Sequence, residues 1–265
     1  MIISHDVDGP VDGPAVLLLH SSVCDRRMWD PQWRPLAEAG FRVVRADFRS
    51  CGQSPAATGP YSDEGDVAAL MDVLELAEAA FVGSSYGGRV ALRIAALHPQ
   101  RVTALALLCA GRPGHEPGPE VRAFCEAEDA LIEAGDLDTA AVLNARTWLG
   151  PEASEEVRAQ VTRMQRKNFA NWFAAHPTEQ DGTAQEGTGH ELPEPTLDLR
   201  TVTAPTLAVG GAHDLSDFRE IAAGLSGLLR GARHLELPWA GHLPSLERPA
   251  EITTLLLDFL REEQP

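Results

Sequence analysis

Three features of the sequence predict an α/β fold with a mostly parallel central sheet and helices on both faces. Short apolar runs alternate with segments of helical periodicity. The runs, such as Ala15-Val16-Leu17-Leu18-Leu19, are continuous rather than alternating, as in strands covered on both faces. The chain has 265 residues, enough for one large domain with an insertion. Parallel strands need crossovers that return over the sheet, and the intervening helical segments supply them.

Residues 2–6 read as a short edge strand, followed by the turn signals Asp8-Gly9-Pro10 and Asp12-Gly13-Pro14. Residues 15–20 form the first core strand. Residues 29–39 have helical spacing that Gly40 stops, and 41–47 read as the next strand, which runs out into a polar loop at 48–55. Ser62 suits the N-cap of a helix carrying Val67, Leu70, Met71 and Leu74 on one face. Residues 80–83 read as a buried strand, the alanine-rich segment past Gly87 as a helix closed by Pro99, and 102–109 as another strand.

At Gly111 the alternation stops. A Gly/Pro-rich exit leads into amphipathic helical patterns at 120–134, 137–149 and 155–176, the last carrying Val157, Val161, Met164, Asn168 and Trp172. These patterns predict a helical cap inserted over the sheet, with residues 1–111 and 199–265 as the core and 112–198 as the cap. Residues 177–195 hold almost nothing apolar and predict a flexible linker. The core resumes with a strand at 206–211, a helix around 218–229, a strand at 234–237 and a final helix opened by Pro249.

The balance of 22 basic against 39 acidic residues, a net charge of −17, argues against nucleic acid or an anionic membrane as partner. The first residues lack a basic start followed by an apolar stretch, and no run approaches membrane-spanning length, so a cytoplasmic location is expected. Cys24, Cys51, Cys109 and Cys125 have neither zinc-site nor disulfide-framework spacing, so no metal is expected, and Cys109 reads as a core residue.

Between the strand at 80–83 and its helix lies Gly83-Ser84-Ser85-Tyr86-Gly87, a G-x-S-x-G elbow that lifts a serine clear of the backbone at a helix N-terminus. Serine needs a base within hydrogen-bond reach, and the base needs an orienting partner. Such partners come from loops at the carboxyl ends of later strands. Asp214 follows the strand at 206–211, and His242 follows the strand at 234–237. Alone, Asp214 equally suits a helix N-terminal carboxylate, and His242 a loop histidine or a cap for the last helix. Among rival histidines, His98 sits at the far end of the elbow helix, His213 adjoins the proposed acid, and His20 ends the first core strand. The order Ser85, Asp214, His242 is that of an elbow-type hydrolase.

Taken together, Leu17-Leu18-Leu19-His20, Asp47-x-Arg49-x-x-Gly52-x-Ser54, Gly83-Ser84-Ser85-Tyr86-Gly87-Gly88, Gly211-Ala212-His213-Asp214 and Gly241-His242 resemble the α/β-hydrolase superfamily, close to its small esterase and enol-lactonase-like members. The resemblance spans nearly the whole chain. It implies an α/β-hydrolase fold of eight or slightly fewer strands, a helical cap, the triad Ser85, Asp214 and His242, and no cofactor. It also implies an oxyanion hole built from the backbone N–H groups of Ser22 and Tyr86. The chain departs from the family in having His20-Ser21-Ser22 where His-Gly is common, Ser50 where many members have glycine, and a short segment ahead of the first core strand.

The activity implied is cleavage of a small or medium carboxylic ester or lactone through an acyl-enzyme. Carbon–carbon bond hydrolysis, thioester cleavage or perhydrolysis by the same triad is the alternative, and a non-catalytic binding protein on this scaffold is an alternative of another class. Serine rather than aspartate at the elbow disfavours haloalkane and epoxide chemistry. Trp29, Trp148 and Trp172 are the expected substrate contacts, beside Phe124, Met164, Phe169 and Phe173, most of which serve the cap's own core. Arg26, Arg27 and Arg49 are candidate anchors for an acidic group, with a surface or salt-bridged role as the plainer reading.

Overall fold

Valine, leucine and alanine dominate the runs that pair into the sheet. In the computed structural model, which describes residues 2–175 and 191–263, the strands are β1 (His5–Asp8), β2 (Ala15–Leu19), β3 (Arg42–Ala46), β4 (Ala79–Ser84), β5 (Val102–Leu108), β6 (Thr206–Gly211) and β7 (Arg233–Leu237). They form one seven-stranded sheet in the order β1-β3-β2-β4-β5-β6-β7. All neighbours are parallel except β1, which runs antiparallel to β3 with His5 opposite Ala46. The edge strand begins later than residue 2. Ile3 is buried in the core, while the Ser4 N–H donates to Ser54 Oγ (2.8 Å) and the Ser4 carbonyl accepts the Asp47 N–H (2.9 Å).

The helices are α1 (Asp30–Glu38), α2 (Asp63–Val73), α3 (Tyr86–Leu97), α4 (Pro119–Glu133), α5 (Leu137–Trp148), α6 (Glu155–Ala175), α7 (Ser216–Leu228), α8 (Pro244–Glu247) and α9 (Pro249–Glu262). Ser62 caps α2 by accepting the Gly65 N–H, and Asp136 caps α5 by accepting the Thr139 N–H. Successive strand residues point to opposite faces, so β2 divides its apolar side chains between two cores. Val16 and Leu18 pack with Leu36 of α1 and Leu256 of α9, whereas Leu17 and Leu19 pack with Leu70 of α2, Val90 of α3 and Leu225 of α7. Each such side chain contributes about 1.5–3 kcal/mol by burial.

Helices α4, α5 and α6 lie between β5 and β6 in the chain. Trp148 of α5 and Met164 of α6 join the core cluster of Val16 and Leu18, and Asn168 of α6 bonds to the loops after β2 and β3. Of the expected linker, residues 177–190 lie outside the described residues. Residues 191–195 do not behave as a free linker: Glu191 bridges to Tyr61, and the Glu194 carboxylate takes two bonds from the Arg89 guanidinium (2.9 and 2.7 Å). The polar composition there serves ion pairs rather than solvation. Among the described residues no helix is long and apolar enough to cross a membrane.

Candidate active site

Ser85 joins β4 to α3 with φ 51° and ψ −114°, a conformation costly for a residue with a side chain. Its surroundings over-determine it. The Ser85 N–H donates to the Leu108 carbonyl (3.0 Å), and its own carbonyl accepts the N–H groups of Gly88, Arg89 and Gly111 (3.0, 3.1 and 2.9 Å). The flanking glycines are needed for space. A methyl group on Gly83 would come within 2.6 Å of the Gly87 carbonyl oxygen and the Gly88 Cα, and one on Gly87 would strike the Leu19 carbonyl.

The loop after β7 delivers His242 to this serine. His242 Nε2 lies 2.7 Å from Ser85 Oγ, and Nδ1 lies 2.6 Å from Asp214 Oδ2. An ionised carboxylate only accepts, so the ring proton sits on Nδ1 and Nε2 is left to accept the Ser85 hydroxyl. The other Asp214 oxygen accepts the Leu215 N–H (2.7 Å). All three side chains are buried. The imidazole is enclosed by Trp148 and Phe218, whose ring centroids lie 4.6 and 4.2 Å away. Its backbone N–H donates to the Trp148 carbonyl (2.8 Å). Glu247 accepts the N–H groups on both sides of it, from Gly241 (3.0 Å) and Leu243 (3.2 Å), and that of Gly150 (3.1 Å). Burial pushes the Glu247 carboxyl above the usual carboxylate range.

A cavity of about 440 Å³ borders Tyr86, the residue after Ser85, and is bounded by Ser22, Phe48 and Arg49 from the core and by Phe169, Trp172 and Phe173 from α6. The amides adjoining the two expected oxyanion donors are committed elsewhere. The Ser21 N–H points to Met28 Sδ (3.3 Å), and the Gly87 N–H donates to the His20 carbonyl (3.1 Å). His20 stiffens this loop: Nδ1–H donates to the Ser21 carbonyl (2.7 Å) and Nε2 accepts the Phe48 N–H (2.9 Å), while burial lowers its pKa and keeps it neutral.

The three tryptophans part company. Trp172 lines the cavity. Trp148 lies behind His242 instead of on the cavity wall. Trp29 is no substrate contact: a 3₁₀ turn, Arg26–Trp29, carries its ring with Met28 into the core cluster, fully buried. Apolar area wins there over proximity in sequence to Ser22. The arginines are salt-bridged, Arg26 with Asp47 (2.6 Å) and Asp6 (2.9 Å), Arg27 with Asp25 (2.6 Å) and Arg49 with Asp66 (2.7 Å), and Arg49 also lines the cavity.

Cys109, Asp214 and His242 bring possible metal-ligand atoms within 4.8 Å of one another. The fit is poor. Asp214 and His242 are bonded to each other, and burial drives the Cys109 pKa well up, so the thiol stays protonated. Sequence reasoning missed Phe218, Glu247 and Asp63. Glu247 is legible as an acid five residues past His242, at the end of a short helix, but Phe218 and Asp63 look like ordinary first-turn helix residues.

Residues 14–249 match a family described as alpha/beta hydrolase fold. A Variovorax paradoxus protein named for carbamate hydrolysis is 31% identical over 98% of this chain and 96% of its own. A Mycobacterium tuberculosis protein named as a non-heme bromoperoxidase is 27% identical over 88% of each chain. Among solved structures, the enol-lactonase from Burkholderia xenovorans LB400 superposes with a TM-score of 0.76 at 28% identity, covering 98% of this chain and 96% of its own.

Proposed function

The chain belongs to the α/β-hydrolase family, and from that premise we propose a serine hydrolase that cleaves a small or medium carboxylic ester or lactone through an acyl-enzyme. The observation that carries this reading is the unbroken hydrogen-bond path from Asp214 through His242 to Ser85, at 2.6 and 2.7 Å. Ser85 Oγ attacks the acyl carbon while His242 Nε2 takes its proton, and Asp214 stabilises the resulting imidazolium. The backbone N–H groups of Ser22 and Tyr86 receive the developing oxyanion, each contributing about 2.7–4 kcal/mol to the transition state. Collapse expels the alkoxide, which takes the proton from His242. Water then attacks the acyl-enzyme with His242 again as base, and the free acid leaves. Trp148 and Phe218 hold the imidazole in a dry slot, and residues 112–198 act as the cap that shapes the substrate cavity, with Trp172 in contact with substrate.

A second reading keeps the triad and changes the acyl group or the acceptor. The relative named for carbamate hydrolysis favours a carbamate as acyl donor, and the one named as a bromoperoxidase favours peroxide as the acceptor in place of water. The deciding assay is hydrolysis of p-nitrophenyl esters of graded acyl length by wild type and Ser85→Ala. The variant is expected to lose about 10⁴-fold or more in kcat. A folded Ser85→Ala protein that keeps the wild-type rate would sink the mechanism.

A further inference from the structure

Resting on the serine-hydrolase reading, we propose that the cavity bordered by Tyr86 and Asp63 selects substrates whose end remote from the reacting carbonyl carries an ammonium or other hydrogen-bond-donating group, and that it discriminates against carboxylates.

Arg49 lines the cavity with its guanidinium held by Asp66 (2.7 Å), and two buried acceptors on the same wall have no partner among the described residues. Asp63, in the first turn of α2, is 4% exposed; its Oδ2 accepts the Tyr86 hydroxyl (2.5 Å), and its Oδ1 has no partner among the described residues. From α6 comes Gln165, 7% exposed, which also lines the cavity and whose buried Oε1 has no partner among the described residues. Glu191 adds a third acceptor, with Oε1 3.3 Å from the Tyr86 hydroxyl. A buried acceptor left unpaired is costly, and a carboxylate more so than an amide, so a donor-bearing ligand group gains what the protein itself withholds.

The charges nearby point the same way. Arg49 is paired with Asp66, Arg93 with Glu64 (2.7 Å) and Glu191 (3.4 Å), and Arg89 with Glu194 (2.7 Å). Asp63 is left outside these pairs, with the Tyr86 hydroxyl as its hydrogen-bond partner. A second carboxylate brought by a substrate would meet repulsion here, and an ammonium a charge-assisted bond. Tyr86 sets the reach: its backbone N–H is the proposed oxyanion donor and its hydroxyl bonds Asp63. The two ends of the substrate are therefore one tyrosine side chain apart.

Asp63 is also poised to respond to such a group. Burial raises its pKa to about 7; Glu191 and Asp66 push the same way, and the Tyr86 hydroxyl and Arg93 oppose them. Tyr61 and Cys51, the other titratable neighbours, are themselves driven up by burial and remain neutral.

The test compares three p-nitrophenyl esters of matched length: the aminohexanoate, the hexanoate and the adipate monoester. Wild type is expected to favour the aminohexanoate over the adipate by roughly tenfold or more in kcat/KM, as one well-placed charge contact provides. The aminohexanoate-to-hexanoate ratio should rise as pH passes upward through the Asp63 titration. Ionisations of the reacting groups are common to both esters and cancel from that ratio. Asp63→Asn, and independently Gln165→Leu, should drive the charge preference toward one. An adipate ester turned over as well as the aminohexanoate, or a preference untouched in both variants, overturns the proposal. A readout free of chemistry accompanies these assays: calorimetric titration of Ser85→Ala with hexylamine and with hexanoate. Tighter binding of the amine supports the proposal, and equal or tighter binding of the acid overturns it. Absence of Ser85-dependent turnover on every ester would instead count against the hydrolase reading, with the titration still deciding this one.

Discussion

Glu247 does not line the cavity, yet its two oxygens hold the N–H groups of Gly241 and Leu243 on either side of His242 and that of Gly150 between α5 and α6. Backbone on both sides of the base is thereby anchored to one carboxylate, so the aim of Nε2 at Ser85 depends on it. Glutamine in its place keeps the shape but turns an NH₂ toward N–H donors. Glu247→Gln is expected to lower kcat about tenfold on the best ester while KM moves less than about twofold, because misorientation of a base acts on the chemical step. Steady-state kinetics checks this. A change confined to KM would place Glu247 in binding rather than in positioning.

The element on which the site depends is the strand–turn–helix unit of β4, Ser85 and α3. Gly87 is where α3 passes against the end of β2, and a Cβ there meets backbone, the carbonyls of Leu19 and His20, rather than a flexible side chain. Gly87→Ala must open the helix from the strand and so separate the Tyr86 N–H from the loop bearing Ser22. The expected cost is about 1–3 kcal/mol of stability from overpacking together with a loss of kcat/KM beyond what the lower Tm explains. Gly59→Ala is the control, since an added methyl group there meets nothing within 4 Å. Equal behaviour of the two variants in melting and kinetics would refute the spacing argument.

At the scale of the molecule, the helices between β5 and β6 are joined to the sheet's loops through Asn168. Its Oδ1 accepts the Gly52 N–H (3.1 Å) and its Nδ2 donates to the Cys24 carbonyl (2.7 Å), with Asn171 donating to the Gly52 carbonyl (3.1 Å). Asn168→Leu leaves two backbone groups unpaired, at about 1–3 kcal/mol, and loosens the cavity wall that carries Ser50, Cys51 and Asn168 itself. A fall in Tm of a few degrees with a rise in KM larger than the change in kcat is expected, read by thermal melts and ester kinetics. An unchanged KM would mean that this contact supports the fold but not the cavity.

The features legible along the chain are those governed by local chemistry. Continuous apolar runs specify two-sided strands, Ser62 specifies the start of α2, and glycine on either side of Ser85 specifies a turn that larger residues cannot make. The placement of Asp214 and His242 just past core strands was legible for the same reason. Tertiary structure alone decided which distant groups meet. Ser85 and His242 are 157 residues apart, and it is the parallel register of β4, β5, β6 and β7 that brings their loops to one end of the sheet. Trp29 belongs to the core because a short 3₁₀ turn rotates it there, and Asp63 faces the cavity because α2 packs beside α3 and Tyr86. Nothing within a few residues of either position encodes those outcomes. They depend on how much apolar area, and how many unpaired acceptors, the assembled elements leave around each side chain.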